Sequence, residues 1–99
     1  MDAEKLSSQL AAIASVQRLR ILASLANERL HVSELARRVG MSRALLYMHL
    51  TKLEEAGYVT GNLELSDGKA LKFFEVAPFS VTLDIATIVA AVQALPEEN

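Results

Sequence analysis

The stretch Ser33–Val59, SELARRVGMSRALLYMHLTKLEEAGYV, decides the fold. Ser33 can cap a short helix of about two turns whose Leu35, Ala36 and Val39 face inward, and Gly40 supplies the left-handed residue that stops it. Ser42 then caps a longer helix in which Leu46, Leu50 and Leu53 recur at i, i+4 and i+7, ended by Gly57 after Glu54, Glu55 and Ala56. Two capped helices joined only by Gly40 and Met41 form a helix-turn-helix pattern.

Upstream, Leu6, Leu10 and Ile13 share the same helical spacing among alanines, which predicts an amphipathic helix over 3–14 with a break at Ser15. A second helix is expected from Val16 to Ala26, with Leu19, Leu22, Ala23 and Ala26 on one stripe, Arg18 and Arg20 directed elsewhere, and Asn27 at its end. Residues 28–32 read as a connector.

Downstream of Tyr58 the hydropathy period changes to two, and Asp67-Gly68 is a two-residue hairpin signal that sets Ser66 opposite Lys69. One face of that ribbon then carries Val59, Gly61, Leu63 and Leu65 opposite Ala70, Lys72, Phe74 and Val76, and it is expected on the core. The other face carries Tyr58, Thr60, Asn62 and Glu64 with Leu71, Phe73 and Glu75, where Phe73 has no evident packing reason. Pro78 closes the second strand, and Ser80 or Thr82 is expected to cap a helix over 83–95 with Ile85, Ile88, Val89, Val92 and Leu95 on one stripe. After Pro96 the tail Glu97, Glu98, Asn99 is expected to fray. The class is mainly α with a small β-hairpin, a single domain over 1–99 in which 33–56 is the helix-turn-helix and 58–77 the wing.

Composition narrows the chemistry. With 99 residues, 52% hydrophobic content and a mean hydropathy of +0.25, the chain has apolar area to spare, because an isolated domain of this size buries only about 60–65% of its unfolded surface. The apolar last helix is therefore expected to close a homodimer together with the first, through Leu6, Leu10, Ile13, Ile85, Ile88, Val89, Val92 and Leu95. The absence of cysteine excludes disulfides, thiolate metal sites and thiol catalysis. Asp2 and Glu4 do not suit a signal peptide, and 83–95 is far shorter than the roughly 20 apolar residues of a membrane span, so a cytoplasmic location is expected. The formal net charge is −2, but residues 29–72 hold seven basic against five acidic side chains. The middle of the chain is its basic part.

The helix-turn-helix assigns roles to these charges. With Leu46, Leu50 and Leu53 on the core, the face left for a major groove is Arg43, Ala44, Tyr47, Met48 and Thr51. Arg43 suits a guanine edge, Ala44 or Met48 a thymine methyl, and Tyr47 a phosphate or base edge. Ser42, Arg37, Arg38 and Lys52 flank that face where phosphates are held, and Lys69 sits on the wing.

Leu35-Ala36-Arg37-Arg38-Val39-Gly40-Met41-Ser42, then His49-Leu50, then Leu53-Glu54-Glu55-Ala56-Gly57-Tyr58-Val59 resemble the arsenical-resistance repressor (ArsR) family of winged-helix transcriptional regulators. The resemblance implies that the first and last helices pair across a homodimer, that Ser42–Lys52 is the recognition helix, and that Lys69 lies at the wing tip. The chain departs from metal-sensing members, which place cysteines near the segment occupied here by 29–35, or acidic and histidine ligands on the last helix. Here 83–95 offers only Asp84, so neither a metal nor any cofactor is expected.

The same residues admit competing readings. Arg37 and Arg38 taken alone are an ordinary solvated pair. His49 reads as a partly buried, hydrogen-bonded residue and His31 as an exposed one. Tyr47 and Met48 would be protein anchors in an interaction module with little DNA affinity, and a dimer coating DNA without sequence preference is a third possibility. A small-molecule effector between the last helices stays open. No paired carboxylates, phosphate loop or nucleophile triad exists to support catalysis. The expected function is a homodimeric repressor that reads an inverted repeat in double-stranded DNA.

Overall fold

Short polar side chains start four of the five helices of the described residues, each taking up an amide that the first turn leaves free. In the computed structural model, which describes residues 1–97, Asp2 accepts from the Lys5 amide at 2.9 Å and opens α1, Ala3–Ile13. Ser15 accepts from the Arg18 amide at 3.3 Å and opens α2, Val16–Ser24. Glu98 and Asn99 of the expected frayed tail lie outside the described residues.

The phase of α2 differs from the expected one. Ile21, Leu22 and Leu25 are buried, whereas Leu19 is 52% exposed and Ala23 and Ala26 face solvent. The inner stripe is Arg18, Ile21, Leu22, Leu25. Arg18 turns inward because acceptors wait there: the carbonyl of Ala12 at 3.2 Å, left over where α1 ends, and Nδ1 of His49 at 3.1 Å. The helix ends at Ser24 with Leu25 as its C-cap, short of Ala26.

The expected connector holds a strand, β1, Leu30–His31, followed at once by α3, Val32–Val39. Ser33 is therefore inside α3 rather than its cap; His31 occupies the N-cap and makes no side-chain bond there. Gly40 ends α3 at φ 68°, the left-handed conformation expected of it. Ser42 accepts from the Leu45 amide at 3.2 Å and opens α4, Arg43–Glu55, which buries Leu46, Leu50 and Leu53 as its spacing predicts.

β2, Val59–Ser66, and β3, Lys69–Val76, form the hairpin in the expected register, with Ser66 opposite Lys69 and Val59 opposite Val76. Asp67 and Gly68 both take positive φ, 51° and 76°. β1 adds to the other edge of β3, giving the order β1-β3-β2. This explains Phe73: it lies opposite His31, edge-on to its ring at 5.8 Å between centroids, with the Arg29 guanidinium 4.4 Å from its own ring centre. His31 is correspondingly half-buried, not exposed.

Only the inner half of the ribbon's apolar face reaches the core. Val59 and Phe74 are buried, while Leu63 is 68% and Leu65 84% exposed. Eight residues of extended chain reach roughly 27 Å, farther than the helices beneath can cover. Tyr58, expected on the outer face, is buried; its hydroxyl donates to the Gln9 carbonyl at 2.8 Å and Phe79 packs edge-on against it.

The last helix, α5, Ile85–Gln93, is shorter than 83–95 and is capped by Asp84, not Ser80 or Thr82. Asp84 Oδ1 accepts from the Thr87 amide at 2.8 Å while Thr87 Oγ1 accepts from the Asp84 amide at 3.0 Å, a reciprocal capping box. Of α5 only Ala91 is buried. α5 packs on α1, and the molecule measures 57 × 24 × 23 Å.

Candidate nucleic-acid interface

The turn of 100° per residue divides α4 into four strips. Leu46, Leu50 and Leu53 lock the inner one. Opposite them, Ala44, Met48 and Thr51 form an exposed crest. Arg43 and Tyr47 lie on the flank toward the wing, in line with Glu54, whose carboxylate accepts from the Gly61 amide of β2 at 3.1 Å. Leu45, His49 and Lys52 lie on the flank toward α1 and α2, where Lys52, Arg18, Ser8 and Glu55 line a hollow of about 460 Å³. The expected groove face is thus one crest with two unlike flanks.

The charged side chains fall into two groups. Arg37 donates through Nε to Glu34 at 3.0 Å and makes a second bond to the same carboxylate. Arg38 donates to Glu34 at 3.1 Å and to Glu28 at 3.3 Å. Those hydrogen bonds from Arg37 and Arg38 hold the Glu34 carboxyl down at about 2. Arg29 pairs with Glu64 beside Phe73. By contrast, Arg43, Lys52, Lys69 and Lys72 form no ion pair among the described residues. Arg43 donates instead to the Ser33 hydroxyl.

Lys72 has no place in the expected site, because alternation assigns it to the core face. It lies on the stretch of ribbon that outruns the core, and with His31, Ser33, Arg43, Tyr47 and Leu63 it lines a notch of about 190 Å³ between α4 and the wing. Its stem crosses β2 at Gly61, where an added Cβ would stand 2.8 Å from Lys72 Cε and 2.7 Å from the Phe74 ring. The sequence signal that exposes it is strand length, since the strands are too long for the core to cover throughout. Lys69 is exposed beside the turn at the tip, and Ser42 is exposed at the start of α4.

At the far end, α1 and α5 present the apolar set. Leu6, Leu10, Ile13 and Leu95 are half-buried, and Ile85, Ile88, Val89 and Val92 are exposed. Between the two helices runs a groove of about 490 Å³ walled by Leu6, Leu10, Leu83, Ile88 and Val92.

His49 is half-buried and accepts from Arg18; burial, and then the Arg18 charge, press its pKa downward, so its imidazole is held neutral. Among the described residues no three His, Asp or Glu side chains stand close enough to hold a metal ion, and no helix is long and apolar enough to cross a membrane.

Residues 15–60 match the model of the arsR family of bacterial regulatory proteins. An uncharacterised helix-turn-helix-type transcriptional regulator of Methanocaldococcus jannaschii is 32% identical over 73 residues, 74% of this chain and 77% of that protein. The crystal structure of NolR from Sinorhizobium fredii superimposes with a TM-score of 0.68 at 30% identity, over 92% of this chain and 83% of that one. The solution structure of a homodimeric winged helix-turn-helix DNA-binding domain from Mycobacterium bovis has the same fold, with a TM-score of 0.64 at 24% identity over 91% and 76% of the two chains.

Proposed function

The chain belongs to the arsR family of bacterial regulatory proteins, as a winged helix-turn-helix DNA-binding transcriptional regulator and not an enzyme, and on that premise we propose that it is a homodimeric repressor reading an inverted repeat. The observation that carries this reading is α4 itself. Its inner strip is fixed in the core, its crest is exposed, and cations without an ion-pair partner among the described residues stand on both sides of it.

A helix about 10–12 Å across fills a major groove about 12 Å wide. Seated there, the crest meets the base edges, with Ala44 and Met48 against thymine methyls and Thr51 offering a hydroxyl. Arg43, leaving Ser33, reaches a guanine edge from the first turn. Ser42 and the first amides of α4, with Lys52 and Lys69, take phosphates. Arg37 does so only by releasing Glu34, and Arg38 only by releasing Glu34 and Glu28.

The α1–α5 face supports the dimer. An exposed apolar helix beside an apolar groove is the composition of a subunit interface, and a second copy covers both at once. A homodimeric arrangement of the similar Mycobacterium bovis domain agrees with this. Any apolar effector would share that groove with the partner subunit.

Selection of duplexes from a randomised library, followed by anisotropy titration of the enriched sequence at two salt concentrations, tests the reading. Enrichment of an inverted repeat with half-sites about one helical turn apart, or a multiple of it, supports it. Within that site, Arg43→Ala relaxes the sequence preference and Lys69→Ala weakens all sequences alike. Salt-sensitive binding without enrichment would point to a nonspecific coat. No binding would point to a protein-interaction module acting through Leu45, Tyr47 and Met48.

A further inference from the structure

We propose that the notch between α4 and the wing is a seat for one phosphodiester group of the DNA backbone, with the Lys72 ammonium as its cation and the hydroxyls of Tyr47 and Ser33 as its hydrogen-bond donors. The inference rests on the DNA-binding reading and adds to it a positioning residue that sequence alternation hides.

A helix that fills a major groove has a sugar-phosphate strand along each side, because those strands are the groove's walls. The wing rises beside one flank of α4, so the backbone on that side passes between helix and wing. What lines the passage is Ser33, Arg43, Tyr47 and Lys72 over an apolar wall of Leu63. Among the described residues no carboxylate pairs with either cation there, in contrast to Arg37 and Arg38, which Glu34 and Glu28 occupy. In the Arg43–Ser33 bond the hydroxyl is the acceptor, which leaves its own hydrogen free to donate.

Lys72 is held for the task. Its stem lies over the gap at Gly61, and its ammonium stands 5.6 Å from the centre of the Phe74 ring. Phe74 is buried, so the side chain rests against the core, and Lys72 also lines the notch, where its ammonium has no carboxylate partner among the described residues to keep it from turning to a phosphate. An anchored cation at the groove wall fixes how far α4 enters and in which register, without reading a base.

The test uses the full chain and its selected duplex, carrying a single neutral methylphosphonate moved one position at a time along the half-site. The variant is Lys72→Met, which keeps an unbranched apolar stem over Gly61 and removes the charge; its thermal melt is compared with that of the parent. The seat predicts one position at which neutralisation weakens the parent about tenfold but leaves Lys72→Met unchanged, while Lys69→Ala remains sensitive there. It also predicts a salt slope lower by about one for the Met variant, with relative affinities among sequences preserved. Equal sensitivity of parent and Lys72→Met at every position, with the parent binding its duplex normally, overturns the seat and leaves the DNA reading intact. Failure of the parent to bind any duplex overturns both. If Lys72→Met melts lower than the parent, Lys72→Gln is scanned in its place under the same criteria.

Discussion

Arg18 donates through Nε to Nδ1 of His49 at 3.1 Å and, through a terminal nitrogen, to the Ala12 carbonyl at 3.2 Å. One guanidinium therefore ties the end of α1 and the start of α2 to the middle of α4. The arrangement requires a neutral imidazole, since a protonated ring has no lone pair to offer at Nδ1.

The pH dependence of stability follows. His49 has a lower pKa folded than unfolded, through burial first and the Arg18 charge second. Its contribution is complete above the unfolded value of about 6.5 and is lost as the pH falls below it. Urea midpoints should fall between pH 7.5 and 5.5 in the parent and stay level in His49→Asn, which offers an acceptor but does not titrate. An equal slope in both proteins would remove His49 as the cause.

Glu34 occupies Arg37 by itself and shares Arg38 with Glu28. If those arginines contact phosphates, Glu34→Gln should tighten duplex binding by about twofold to fivefold and steepen its salt dependence. Unchanged affinity would place Arg37, which Glu34 alone occupies, outside the contact. The Glu34 carboxyl is held at about 2, so what these pairs contribute to stability is complete above the unfolded value of 4.5 and is lost as the pH falls toward 2, where the carboxyl protonates.

Tyr58→Phe removes the hydroxyl that joins the sheet end to α1 at Gln9 and should cost about 1 kcal/mol in chemical denaturation. Burial raises the Tyr58 pKa. Its contribution is therefore complete below the unfolded value of about 10 and is lost as the pH rises above it. The parent should lose stability above pH 10 more steeply than the Phe variant.

Val92→Asp places a charge on the exposed side of α5, where it disturbs little within one chain. Sedimentation should show monomers with an unchanged helical spectrum, and binding to an inverted repeat should weaken by about 10²-fold or more as the two half-sites become separate events. A variant that remains dimeric would move the interface off α5.

Local chemistry was legible wherever it decided structure alone. Ser42 and Gly40 bound α4 and α3 because a hydroxyl cap and a left-handed residue act within a few residues of themselves. The Asp67-Gly68 turn set the hairpin register for the same reason. What depended on distant partners was hidden. Two residues of β1 carry no period, and they are strand only because β3 lies alongside. Leu19 and Arg18 exchanged expected places because His49, 31 positions away, supplies an acceptor. Lys72 looked like a blemish on a core face because alternation tells which way a side chain points and not how far the core extends beneath it.

The order β1-β3-β2 leaves β2 at the margin of the sheet. Among the described residues no strand neighbours its outward amides and carbonyls, and Leu63 and Leu65 stand bare on the same segment. Such a margin is a template on which further strands can grow. Glu64 and the charged turn beside Asp67 and Lys69 oppose that growth, as flanking charges do along natural sheet margins. We expect this margin to limit how concentrated the free protein can be kept, and a ligand that covers it to raise that limit.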